Sequence, residues 1–114
     1  LATPKAVWKT KILSNETTVS KEILNKTVVQ EVTITNPSAT NVTMEIYRTP
    51  FSERNDPVSP FQELCKIKTS FSISANQTVV FSNLRWVFGE GDYLAFTKVG
   101  NGTVVIYVDG VEFD

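Results

Sequence analysis

The residues with the clearest chemical potential are asparagines. Asn-X-Thr triplets occur five times in the 114 residues: Asn15-Glu16-Thr17, Asn25-Lys26-Thr27, Asn41-Val42-Thr43, Asn76-Gln77-Thr78 and Asn101-Gly102-Thr103. Such a triplet is the acceptor for N-linked sugar in an exported chain. A sixth asparagine, in Asn36-Pro37-Ser38, has the right third residue but is blocked by proline. Eight asparagines, with 23 Ser and Thr, would give about one or two triplets by chance, so five is an excess. Asn-Thr pairs also recur in the turns of β-proteins, which is the competing explanation. The triplets predict a densely N-glycosylated extracellular chain, with Asn15, Asn25, Asn41, Asn76 and Asn101 carrying covalent glycans.

Other chemistry is sparse. There is no His, which removes Ser-His-Asp and Cys-His catalysis and His-ligated zinc. The one Cys, Cys65, cannot form an internal disulfide and reads as a buried, inert thiol. Glu90, Asp92, Asp109, Glu112 and Asp114 cluster late in the chain. They could offer hard oxygen ligands to Ca²⁺ or a glycosidase-like pair, but solvated turn acids are the simpler reading. No nucleophile–base arrangement stands out, so the chain reads as non-enzymatic, without cofactor or metal. A net charge of −1 without a basic block argues against a nucleic-acid partner. Lys9, Lys11, Lys66 and Lys68 form short stripes suited to guarding sheet edges. No apolar run approaches the roughly 18 residues of a membrane span. The chain begins at Leu1 rather than Met, which fits either a removed export signal or a fragment.

Strands must position these groups, because period-2 alternation of Val, Ile, Thr, Phe and Tyr recurs and no long 3.6 period does. In residues 5–13, Ala6, Trp8, Thr10 and Ile12 alternate with Lys5, Val7, Lys9 and Lys11, a strand with one core face. Residues 14–26 read as a polar linker with two triplets and room for a short strand or turn near Ile23. Residues 27–35, where Val28, Gln30, Val32 and Ile34 alternate with Val29, Glu31, Thr33 and Thr35, and residues 41–48 lie on either side of the turn Asn36-Pro37-Ser38-Ala39-Thr40 and predict a hairpin. A Pro-rich loop spans 49–60. Further strands are expected over 61–74, with a break near Thr69, and over 78–84, 92–99 and 103–108. Gly100-Asn101-Gly102 is expected as a hairpin turn and Asp109-Gly110 as another turn.

Seven to nine short strands in one domain predict an all-β, immunoglobulin-like antiparallel β-sandwich. The runs Val32-Thr33-Ile34-Thr35-Asn36-Pro37, Phe71 to Phe81 and Gly91-Asp92-Tyr93-Leu94-Ala95-Phe96 resemble immunoglobulin-like domains of microbial surface proteins, without the paired cysteines of antibody domains. Glycosylation density together with an N-terminal strand set off by a polar stretch resembles the archaeal "thread" type of extracellular filament. That resemblance implies a cell-surface homo-polymer joined by donor-strand complementation. It divides the chain into residues 1–13 as a donor strand contacting a neighbour through Ala6, Trp8, Thr10 and Ile12, 14–26 as linker, and 27–114 as the sandwich. An ordinary first strand in its own sheet, a module that binds the surface layer, and a viral coat glycoprotein remain alternatives.

Overall fold

A computed structural model describes residues 2–49 and 66–113. The expectations for the loop from Pro50 onward, for Phe61 to Cys65, and for Asp114 fall outside the described residues. Nine strands form among those described: β1 (Ala2–Ile12), β2 (Thr18–Glu22), β3 (Thr27–Asn36), β4 (Val42–Thr49), β5 (Lys66–Ile73), β6 (Gln77–Phe81), β7 (Trp86–Phe88), β8 (Tyr93–Val99) and β9 (Val104–Phe113). They make two antiparallel sheets. One has the order β1-β9-β3-β6, with β7 also on β3, and the other has the order β2-β8-β4-β5. The all-β antiparallel sandwich is therefore the architecture.

Strand order refines the immunoglobulin-like expectation. Consecutive strands β1 to β4 alternate between the sheets, and so do β5–β6, β7–β8 and β8–β9. This is jelly-roll connectivity. Two predicted hairpins are accordingly crossovers. β3 pairs with β6, β7 and β9, whereas β4 pairs with β5 and β8, so the turn at Asn36 to Asn41 carries the chain from one sheet to the other. The Gly100-Asn101-Gly102 turn does the same between β8 and β9. Turn chemistry reverses the chain in both places, but local residues do not choose which sheet receives it.

Apolar residues alternate into the space between the sheets. Val29, Val32 and Ile34 of β3, Met44 and Ile46 of β4, Leu94 and Phe96 of β8, and Val104, Ile106 and Val108 of β9 are almost fully buried. Ring contacts close the flanks. Trp8 of β1 lies 5.8 Å from Phe96 of β8, and Phe71 of β5 meets Phe81 of β6 edge-on at 5.0 Å. Both contacts bridge the two sheets.

Two β-bulges correct the sequence expectation at specific residues. The β1–β9 register skips Val7, so Ala6 faces Asp109 while Trp8 faces Val108. The extra residue flips the side-chain parity. Trp8, Thr10 and Ile12 stay on the core face, but Ala6 is exposed and does not belong to it. On the other side of β9 the β3 register skips Gln30, so Val29 is buried and Val28 is not. Asp109-Gly110 lies between these bulges and is not a turn: β9 runs through it, pairing with both neighbours. Gly110 is there because of crowding. A Cβ on it would sit 3.1 Å from both the carbonyl carbon of Val28 and Cα of Val29.

Residues 14–26 also differ from a plain linker. Thr18–Glu22 form β2, the edge strand beside β8, and Ile23 is 2 % exposed. The N-terminal strand β1 forms ten register pairs with β9 of its own chain.

Candidate functional site

Alternating strand directions sort the connections between two ends of the sandwich. At one end lie the crossovers β1–β2, β3–β4, β5–β6 and β8–β9, and each carries one acceptor triplet: Asn15, Asn41, Asn76 and Asn101, respectively. Asn25 alone lies at the opposite end, between β2 and β3. All five triplet asparagines are exposed. Asn36, in the proline-blocked triplet, is fully buried.

The four-triplet end is held together by two buried polar side chains. Asn36 Nδ2 donates to the carbonyls of Thr40 (2.8 Å), Ile73 (3.1 Å) and Ser74 (3.3 Å). Its Oδ1 accepts from Ser38 N (3.1 Å) and Ser38 Oγ (2.6 Å). One amide thus closes the β3–β4 turn and ties it to the end of β5. The β5–β6 turn is joined to the same place by Asn76 N donating to Ser38 O at 3.1 Å, and Asn76 adopts a left-handed φ of 60°. Gly102 packs against Ser38 so closely that a Cβ there would overlap the serine side chain.

Lys98 is the second organiser. It is 2 % exposed, and its Nζ donates to Leu13 O (2.9 Å) and Gly102 O (2.6 Å), joining the β1–β2 and β8–β9 crossovers. Burial lowers its pKa from the ordinary 10.5, and the nearby Glu16 carboxylate opposes that shift. Lys98→Met would leave the Gly102 carbonyl without its lysine donor and the Leu13 carbonyl with Glu16 N, while removing a desolvated charge. A net loss of about 1–3 kcal/mol is expected in urea unfolding at neutral pH. The sign of its pH dependence is fixed. Between the lowered folded pKa and 10.5 the unfolded chain binds more protons, so the native protein gains stability as pH rises through that window. The stability gap between the native protein and Lys98→Met should therefore widen on raising the pH toward 10.5; a gap that narrows would show that the lysine is not desolvated.

The attachment atoms remain accessible. Asn41 Oδ1 accepts from Ala75 N at 3.0 Å, which leaves Nδ2, the atom that bonds to sugar, without a partner among the described residues. Among the described residues the remaining candidate groups do not assemble into a site. No group of three or more His, Cys, Asp or Glu that could hold a metal ion occurs among the described residues. Glu112 pairs with Lys5 at 3.1 Å, and Asp92 Oδ2 accepts from Gly89 N at 2.7 Å to close a turn. Asp109 lies opposite Glu31 on the outer face of the five-stranded sheet, and Glu90 is exposed. The ammonium groups of Lys9 and Lys68 stand 5.5 Å and 5.2 Å from the ring centroids of Tyr107 and Phe81. Among the strand-exchange residues, Ile12 is buried and Trp8 and Thr10 are half-buried inside the chain's own sandwich.

Sequence reasoning missed Asn36 and Lys98 as organisers. Signals for both were present. The proline block already set Asn36 apart from the other asparagines. Lys98 continues the Leu94, Phe96 parity that faces the core.

No family model matches the chain, and no curated protein matches it in sequence. Among the solved structures that resemble it in shape are two Drosophila proteins. One is the core of Drosophila NLP, described in terms of pentamer formation and histone binding. It is 15 % identical, with 90 % of this chain and 93 % of that chain covered and a TM-score of 0.50. The other is the nucleoplasmin-like N-terminal domain of Drosophila FKBP39, 14 % identical, with 94 % and 89 % covered and a TM-score of 0.52. At these identities the likeness concerns the fold alone.

Proposed function

We propose that this chain is a non-enzymatic, extracellular structural module whose loop end is covered by N-linked glycans and which assembles with copies of itself into a cell-surface filament. One observation carries the reading: every crossover at one end of the jelly roll holds one exposed acceptor asparagine, while the blocked Asn36 is buried in the same end. Sugar on four adjoining turns would keep that end solvated and would direct assembly to other surfaces. The NLP core, which shares the fold, is a pentamer-forming protein, a precedent for self-association of such a sandwich.

Strand exchange is the assembly route that the topology favours. Among the described strands β1 is an edge strand bonded only to β9, so it can leave without breaking any other pair between them. Its departure uncovers the β9 edge and the pocket of Trp8 and Ile12. The β1 of a neighbouring copy could fill both, with backbone bonds supplying affinity and alternate side chains supplying specificity. Repeated head to tail, this contact gives an open filament.

Two measurements test the proposal. Intact mass of the secreted chain should fall to that of the bare polypeptide after enzymatic deglycosylation. A chain lacking residues 1–13 should be monomeric and less stable, and should bind a peptide of residues 2–12 added in trans. Filaments formed by that shortened chain as readily as by the whole one would rule out exchange of β1.

A further inference from the structure

Resting on the glycosylation reading, we infer that the five triplets fall into two classes: Asn15 and Asn76 can be modified on the folded protein, whereas Asn25, Asn41 and Asn101 accept sugar only before the sandwich forms. The two residues after each asparagine make the separation. A transferase must draw out the whole triplet, because it reads the third residue's hydroxyl as well as the amide. Glu16 and Thr17 are exposed, as are Gln77 and Thr78, and what holds them is turn and edge bonding rather than burial: Glu16 N to Leu13 O, Lys98 N to Thr17 O, and Gln77 N to Ser74 O. In the other three triplets one residue is locked. Thr27 is 2 % exposed and its hydroxyl donates to Asn25 O at 2.8 Å. Val42 is 1 % exposed. Gly102 is buried against Ser38, and its carbonyl accepts from Lys98.

Sheet position explains the division. The two open triplets lead into β2 and β6, which are edge strands among those described. Among the described residues Thr78 has a strand on one side only, and its exposed hydroxyl meets the Thr35 hydroxyl at 3.0 Å. The three closed triplets lead into interior strands. Thr27 lies in β3 between Phe88 and Glu112, Thr43 lies in β4 between Ser72 and Val99, and β9 runs between β1 and β3. Drawing out the Asn25 or Asn41 triplet breaks pairing on both flanks and opens the core, and drawing out the Asn101 triplet pulls Gly102 off Ser38 directly ahead of the first β9 pairs, so each requires opening well beyond the turn itself. Drawing out an edge triplet requires only local fraying.

In each transfer the co-reactant is a sugar activated as a lipid-linked phosphate ester. The asparagine Nδ2–C1 bond forms and the C1–O bond to phosphate breaks. The phosphate leaves with the electron pair, and the amide proton passes to a base of the transferase. This chain supplies only the acceptor and its accessibility.

The test uses the full chain produced without glycans, folded, and exposed to a purified single-subunit oligosaccharyl transferase and its lipid-linked donor. Short synthetic peptides spanning each triplet serve as unfolded controls, and occupancy is read by peptide mass. All five peptides should be modified. In the folded chain Asn15 and Asn76 should be modified, with occupancy at Asn25, Asn41 and Asn101 at least about tenfold lower, as restricted opening requires. Equal occupancy of all five in the folded chain would overturn the inference, as would a folded chain unmodified at Asn15 and Asn76. Failure of the transferase to modify any of the five peptides would instead defeat the underlying glycosylation reading.

Discussion

Gly110→Ala is expected to destabilise the domain by about 3 kcal/mol, with a fall in Tm of about 10 °C or more. The added methyl has nowhere to go. It would meet the Val28 carbonyl group and Val29 Cα, backbone atoms of β3, in the middle of a sheet where β9 is held on both sides. Neither strand can move without breaking register with the next. Gly89→Ala is the matching control. Its methyl would stand 3.6 Å from the Asp92 carboxylate, an ordinary contact, and should cost less than about 1 kcal/mol. Urea unfolding of both variants checks the pair. Similar midpoints would show that the bulges beside Gly110 yield more readily than two flanking strands should allow.

Asn36→Ala carries the second large effect, a loss of about 3 kcal/mol. The variant leaves the Ile73 carbonyl and the Ser38 N–H without their Asn36 partner and cuts the tie between the β3–β4 turn and the end of β5, while the Thr40 and Ser74 carbonyls keep Ser38 Oγ and Gln77 N. Asn36→Asp separates donor loss from shape loss. It keeps the size and the acceptor but sets a carboxylate oxygen against the carbonyls of Thr40, Ile73 and Ser74, so it should be at least as destabilising as alanine. Urea unfolding reads both variants. An aspartate variant with native stability would mean that packing, not the amide donors, holds this end together.

These two residues mark where sequence reading worked and where it stopped. Period-2 alternation located β3, β4 and β8, and with them the sandwich, because a strand buried on one face needs that pattern whatever its partner. It did not assign partners. The turns at Asn36 and Asn101 have hairpin chemistry, yet they cross between sheets, since sheet membership is decided by contacts far apart in the chain. Nor did it survive the bulges: one extra residue at Val7 removes Ala6 from the core face, and another at Gln30 exchanges Val28 for Val29. Asp109-Gly110 carries a strong turn signal, which pairing on both sides of β9 overrides. The acceptor triplets were readable one by one. Their gathering at one end was not, because it arises from jelly-roll connectivity. Lys98 was concealed for a related reason: a lysine on a core-facing parity has meaning only once the Leu13 and Gly102 carbonyls are seen to converge on it.

Glycosylation of the loop end is the central claim, and glycopeptide masses mapped to each asparagine in the chain isolated from its natural source test it most directly. Sugar on the crossover asparagines Asn15, Asn41, Asn76 and Asn101, with Asn36 bare, is the predicted result. Unmodified asparagine at all of the acceptor triplets would contradict it.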